Sequence, residues 1–251
     1  MPAPRLSLIC WGDNVIGAER SAEIIRRMKG IPGGSGMRFP IRDEGLNVIG
    51  YLRGFDKSRL GDGALIETMA RAHTQNKENF MTQFDVTPAN KRYWLENSVL
   101  ANDKKMLFLV ETQNGRVVGQ DGFTIREDGV FVSDASMKWE RDGHPALFLR
   151  NFYERAAMCF VLLGCVGAEI TFFKKNIATM LNVKRLGARK TGEYPLVKSA
   201  ENGKIIYAKA DDPSQINTGE ILIEYHMQKD DFLASHKNLV EHPCWEAYSW
   251  D

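Results

Sequence analysis

The chain has 251 residues, 43% apolar and 26% charged, with a formal net charge of +1. These proportions suit a folded globular protein of one large domain with an appendage and exclude a disordered chain. The near-neutral balance excludes a global electrostatic pull toward nucleic acid or an anionic membrane.

Residues 6–11 read as a short strand, and residues 17–28 as a helix with Ile24, Ile25 and Met28 on one face. The N-terminus carries no signal-peptide pattern. The Gly-rich stretch 30–36 lacks a Gly-Lys-Ser/Thr and a strand before it, so it reads as a linker and not a phosphate loop. Residues 1–45 are therefore expected to form an N-terminal extension.

From residue 46 the elements become regular. Residues 46–55 are a strand candidate, and 62–73 a helix with Leu65, Met69 and Ala72 at helical spacing. Thr87 caps a second helix with Pro88 in its first turn. Strands follow at 106–111, 116–125 and 130–138, turned by Asn114-Gly115 and Asp128-Gly129. A long helix spans 144–163, its apolar positions stepping by three and four. Next come a strand at 168–173 and a helix at 176–186 stopped by Gly187. Strands at 188–197, 204–209 and 220–228 complete the pattern, with Asn202-Gly203 as a turn. The tail 229–251, with Trp245, Tyr248 and Trp250, is expected to pack back on the body.

The cysteines Cys10, Cys159, Cys165 and Cys244 have no Cys-x-x-Cys spacing, which suits reduced thiols in a cytoplasmic protein. The apolar run 156–168 falls short of the ~20 residues a membrane span requires. The five histidines show no metal spacing, and no metal is expected.

The stretch 171–196, TFFKKNIATMLNVKRLGARKTGEYPL, resembles the C-terminal signature of the GCN5-related N-acetyltransferases (GNATs). Asn176 holds the Asn position, Thr179 and Met180 the following pair, and Leu186-Gly187 the stop. Val183 stands where the family has Tyr, and Ala188 where it has Phe. The order of elements over residues 46–228 is also similar to that family's. The resemblance implies an α+β GNAT fold, a mostly antiparallel twisted sheet of about seven strands flanked by helices.

It also implies acetyl-CoA as co-substrate, its pyrophosphate held by backbone N–H groups where a strand runs into a helix N-terminus. In this chain that is the segment 138–146. Met137, Lys138, Arg141, Gly143, His144 and Ala146 are the expected cofactor residues there, with Asn176 at the start of the later helix. The backbone N–H of Met137 or a neighbour would polarise the thioester carbonyl. Candidate bases for the acceptor amine are Asp134, Glu111 and Asp121. With Val183 at the motif position, water or a nearby hydroxyl such as Tyr194 or Tyr207 would protonate the leaving thiolate.

The stretch 79–96, rich in aromatics (Phe80, Phe84, Trp94), resembles members acting on nucleotide-linked sugar amines and on ribosomal-protein N-termini. Three readings stay open. The chain acetylates a small primary amine such as an amino sugar, as a monomer or homodimer. It modifies a macromolecule, with Lys174, Lys175, Lys184, Arg185, Arg189 and Lys190 contacting nucleic acid. Or it is a binding member without catalysis.

Overall fold

The computed structural model describes residues 18–30, 38–140 and 143–241. The strand expected at 6–11, Arg141, Cys10, Cys244 and the aromatics of the last ten residues lie outside them. The elements, in chain order, begin with α1 (Ala18–Gly30), β1 (Arg38–Arg42) and β2 (Val48–Gly54). Two helices follow, α2 (Gly63–Gln75) and α3 (Pro88–Trp94), with the two-residue strand β3 (Thr82–Gln83) between them. Then come β4 (Lys105–Thr112), β5 (Val117–Ile125), β6 (Val130–Lys138) and α4 (Leu147–Val161). The remainder is β7 (Gly167–Phe173), α5 (Ile177–Arg185), β8 (Arg189–Glu201), β9 (Lys204–Lys209), β10 (Ile221–Gln228), α6 (Lys229–Ser235) and α7 (Lys237–Val240).

Local chemistry accounts for many boundaries. Asp62 caps α2 by accepting from the Leu65 N–H, and Thr87 caps α3 ahead of Pro88. Gly187 ends α5 at φ 85°, and Asn202 and Gly203, both at positive φ, turn β8 into β9.

The ten strands of the described residues lie in the order β1-β2-β4-β5-β6-β7-β10-β8-β9-β3. All described pairings are antiparallel except β6 with β7. This is the α+β architecture expected, with more strands. Two of the additions were not anticipated. The strand β3 is too short to show a period. The strand β1 lies inside the stretch set apart as an extension, yet it pairs with β2 from Arg38↔Arg53 onward, and α1 buries Ile24, Ile25 and Met28 in the main core. The first described elements are thus part of the same folded body as the rest.

The sheet has two covered faces. On one, α1, α4, α6 and α7 pack over a line of phenylalanines: Phe39, Phe108, Phe123, Phe131, Phe160 and Phe232, each 5.3–6.2 Å from the next. Each such pair adds about 0.5–1.5 kcal/mol beyond burial. On the other, α2 buries Leu65, Ile66 and Met69, and the π-helical turn Leu95–Leu100 that follows α3 buries Leu95 and Val99, against Leu107 and Leu109 of β4.

Two fully buried ion pairs tie α4 to the sheet. Arg42 of β1 grips Glu154 of α4 through Nε (2.9 Å) and Nη2 (2.7 Å). Arg155, the next residue of α4, donates to Asp121 of β5 at 2.6 Å. Removing one partner of such a pair strands a desolvated charge. Glu154→Ala is expected to lower the free energy of urea unfolding by about 3–5 kcal/mol. The double change Arg42→Met with Glu154→Leu should recover most of that loss.

Candidate active site

β6 and β7 run parallel but pair only at Val130↔Gly167, Phe131↔Ala168 and Val132↔Glu169. Both strands continue, β6 to Lys138 and β7 to Phe173, without further pairing to each other. The sheet is therefore split along its middle, leaving the edges of two strands facing one another.

The cause of the split lies in β6. Between Asp134 and Met137 two residues stand opposite the single Asp121 of β5, a β-bulge, and Ala135 takes φ 54°. A bulge bends its strand and re-aims the groups that follow. This one is braced from β5, where the buried Gln120 donates through Nε2 to the Ala135 carbonyl at 2.8 Å. The Ser136 hydroxyl donates to Asp121 Oδ1, which also receives Arg155 Nη1 and the Gly122 N–H. Arg155 donates in addition to the Gly122 carbonyl at 2.7 Å. Burial pushes the Asp121 carboxyl up, and the Arg155 charge and Ser136 hydroxyl oppose it.

At the mouth of the split β6 runs into α4. Gly143 has φ 93°, and a Cβ there would stand 2.9 Å from Thr112 Cγ2, so the loop needs glycine twice over. Gly119 of β5 lets Phe148 lie against the strand; a Cβ at that position would be 2.2 Å from the ring. The N-cap position, Ala146, makes no side-chain cap. The Ala146 N–H goes to His144 Nδ1 and the Leu147 N–H to the His144 carbonyl. Those of Phe148 and Leu149 have no acceptor among the described residues. Donors and dipole at this helix start suit an anion.

The expected site residues fall into three groups. Lys138, Gly143, His144 and Ala146 line the β6–α4 connection, where Lys138 Nζ lies 5.7 Å from the Phe148 ring centre. Met137 lies on the strand, but Trp139 N–H donates to the Val118 carbonyl, and alternation turns the Met137 main chain to β5 as well. By the same alternation the main-chain groups of its neighbours Ser136 and Lys138 turn to the split. Asn176 caps α5 by accepting from the Thr179 N–H at 3.1 Å.

The candidate bases are engaged elsewhere. Asp134, two residues past the last β6–β7 pair, forms an ion pair with Lys105 of β4. Glu111 is buried between Arg38 (2.9 Å) and Arg53 (3.3 Å), and Asp121 serves the bulge. Tyr194 sits on β8, opposite Leu222, itself opposite Phe173 of β7, so it stands about 10 Å from the split by strand spacing. Its ring lies under Lys209 at 3.6 Å. Tyr207 is buried against Phe173.

Sequence reasoning missed Lys91. It sits on α3 and is only 2% exposed. Its Nζ lies 4.3 Å over the Trp94 ring and has no hydrogen-bond acceptor among the described residues. Burial, countered in part by Asp134 and reinforced by Lys105, lowers its pKa to about 7. The Trp94 ring also lies 5.2 Å from Lys105 Nζ, and Lys105 pairs with Asp134 two residues past the last β6–β7 pair, so this lysine lies near the start of the split. The one available signal was its place three residues before an apolar Trp-Leu pair, on the inward stripe of the helix.

The connector from α2 to α3 bounds this side. It leaves helices packed over β4 and β6 and reaches the far edge of the sheet, where Thr82 and Gln83 pair with Ile206 and Ile205 of β9. Phe80 stacks on His73 at 4.6 Å, and Phe84 lies under Lys204. Of the six clustered basic residues, Lys174, Lys175, Arg189 and Lys190 are ion-paired to Glu193, Glu220 and Asp231. Among the described residues no group of three metal-ligating side chains occurs, and no helix is long and apolar enough to cross a membrane.

A split sheet with a bulged strand leading into an uncapped helix is the arrangement of the GCN5-related N-acetyltransferase fold, and comparison with solved structures shows that this chain has that fold. RimL, a ribosomal L7/L12 alpha-N-protein acetyltransferase solved in complex with coenzyme A, matches with a TM-score of 0.57 at 14% identity, covering 78% of this chain and 99% of its own. FdhC, a nucleotide-linked sugar GNAT, matches with a TM-score of 0.56 at 13% identity over 80% of this chain and 97% of its own. A probable GNAT-family acetyltransferase from Chromobacterium violaceum covers 92% of this chain and 98% of its own, at 15% identity and a TM-score of 0.53. No family model and no curated protein matches the sequence.

The buried lysine makes a pH prediction. Its folded pKa is about 7 against an ordinary 10.5. Between those values the unfolded chain holds a proton that the folded chain has released, so this group makes stability rise with pH through that window. Urea unfolding of the wild type and Lys91→Met, compared from pH 7 to about 10, should show the variant more stable at the low end and the difference shrinking upward.

Proposed function

We propose that the chain is an acetyl-CoA-dependent N-acetyltransferase that acetylates a small primary amine in a ternary complex. The observation that carries this reading is the split itself: β6 and β7 pair over three residues and then part, with the Gly143 loop and the uncapped start of α4 at its mouth. A pantetheine arm is an extended amide chain, and a strand edge with unpaired main-chain groups offers it ladder-like hydrogen bonds. The pyrophosphate would lie at the N–H groups of Phe148 and Leu149, where the helix dipole favours negative charge. Arg141 and Lys138 belong to the same connection and would add positive charge. Asn176 would meet the arm from the β7 side through the amide nitrogen that its capping role leaves available.

The thioester carbonyl would be polarised by a main-chain N–H of Ser136 or Lys138, held in place by the bulge. The amine attacks the carbonyl carbon, the C–N bond forms, the C–S bond breaks, and coenzyme A leaves. Asp134, with Lys105 beside it, lies where the acceptor enters and would orient the incoming ammonium. Glu111, buried in its two ion pairs, and Tyr194, two strands beyond β7, stand farther away and have no part in this reading.

A small acceptor is favoured by the connector. It ties α2 to β9 across the face on which Trp94, Lys91 and Asp134 lie, leaving less room for a macromolecule. The neighbours named for a sugar amine and for a protein N-terminus bracket the acceptor chemistry without selecting within it.

Acetyl-CoA at a hundredfold excess over its Kd should stabilise the protein by about 2.7 kcal/mol, read as a rise in thermal midpoint. Gly143→Pro should abolish that rise, and Asn176→Ala should reduce it. Absence of any rise in the wild type would refute the cofactor placement.

A further inference from the structure

We propose that the amine of Lys91, buried on α3 against Trp94 and beside the Lys105–Asp134 pair, is the base that takes the proton from the acceptor ammonium. The inference rests on the acetyl-transfer reading above and deepens it.

An ammonium has no lone pair, so a protonated acceptor must lose a proton before it can attack a thioester. The carboxylates named so far are all committed. Asp134 is paired with Lys105, Glu111 with Arg38 and Arg53, and Asp121 with Arg155. On the β7 side, Glu169 is paired with Arg126 and Glu224 with Lys209. Taking up a proton would cost each of these carboxylates its ion pair.

Lys91 differs from all of them. It is buried, its nitrogen has no hydrogen-bond acceptor among the described residues, and the Trp94 ring lies 4.3 Å from it. The groups that face it are His73 from α2, Lys105 from β4 and Asp134 from β6. His73 is itself kept uncharged by burial, its pKa lowered to about 4, so it does not take up the proton near neutrality. Lys105 adds repulsion that favours the neutral amine. Asp134 supplies the opposite charge that receives the ammonium once formed. Trp94 carries Lys105 Nζ at 5.2 Å as well, and the Lys105–Asp134 pair, two residues past the last β6–β7 pairing, places this group on the face where the split opens.

The step balances. The acceptor R–NH3+ gives one proton to the Lys91 amine, which becomes an ammonium. The freed nitrogen lone pair forms the C–N bond, the C–S bond breaks, and the second nitrogen proton passes to the leaving thiolate, giving the amide and the thiol of coenzyme A. Lys91 then returns its proton to solvent.

The test uses acetyl-CoA with two probe amines: propylamine, protonated near neutrality, and methoxyamine, which is not. Lys91→Met should lower kcat/KM for propylamine by about a hundredfold and flatten its acidic limb, and Lys91→Arg should do the same. Transfer to methoxyamine should fall far less, which separates a lost base from a misfolded site. Equal losses with both amines, or no loss, would overturn the proposal. As an independent readout, the 13C-labelled lysine carbon next to Nζ should titrate near neutrality in the wild type and vanish from the spectrum of Lys91→Met. A titration at the ordinary lysine position would overturn it whatever the kinetics show. Wild-type protein that acetylates neither amine would refute the transferase reading and this proposal with it, an outcome distinct from the selective failures above.

Discussion

The site depends on one buried contact, the Asp121 carboxylate shared by Arg155 of α4, Ser136 in the bulge and the Gly122 N–H. An ion pair in a fully buried place carries a large desolvation penalty and is tolerated only when its hydrogen bonds are well made. Here the same oxygen that neutralises Arg155 also fixes the residue after Ala135, whose φ of 54° is unfavourable for a side chain with a Cβ. The helix, the bulge and the departure of β6 from β7 are therefore one mechanical unit. Loosening any of them would let the two strands zip together and close the split.

The second constraint is the seat of α4. Arg42 holds it to β1 through Glu154, and Gly119 lets Phe148 settle on β5. Between these contacts the first turn keeps the Phe148 and Leu149 main-chain donors, which no side chain among the described residues satisfies. Proteins seldom leave such groups idle where the chain could cap them, as Thr87, Asp62 and Asn176 do elsewhere in this molecule.

Electrostatics divide the two sides of the sheet. On the α4 face the buried charges are matched and hydrogen-bonded. On the α2–α3 face Lys91 is buried without a hydrogen-bonded partner among the described residues, next to an ion pair and an indole. Burying a cation in this way is unfavourable unless it can shed its proton. That cost to stability is what a functional site accepts and a purely structural core does not.

Much of the fold could be read from the chain. The hairpin turns at Asn114-Gly115, Asp128-Gly129 and Asn202-Gly203 and the caps at Thr87, Asn176 and Gly187 are local chemistry, and each is legible because its cause lies within a few residues. The period of the apolar positions in the long helix marks its buried face for the same reason. The pairing of β1 and β3, the bulge at Ala135 and the partners of Asp121, Glu111 and Asp134 were decided by tertiary structure. They depend on side chains 15 to more than 100 residues apart, such as Gln120 with Ala135, Arg38 with Glu111 and Arg42 with Glu154. A carboxylate in a strand shows in sequence that it needs a partner, but only the fold says whether that partner is a buried arginine or an incoming substrate. Lys91 is the sharpest case. On paper it is one more charged helix residue, and it acquires a distinct chemistry only because α3 turns it inward against Trp94, where water no longer supports its charge.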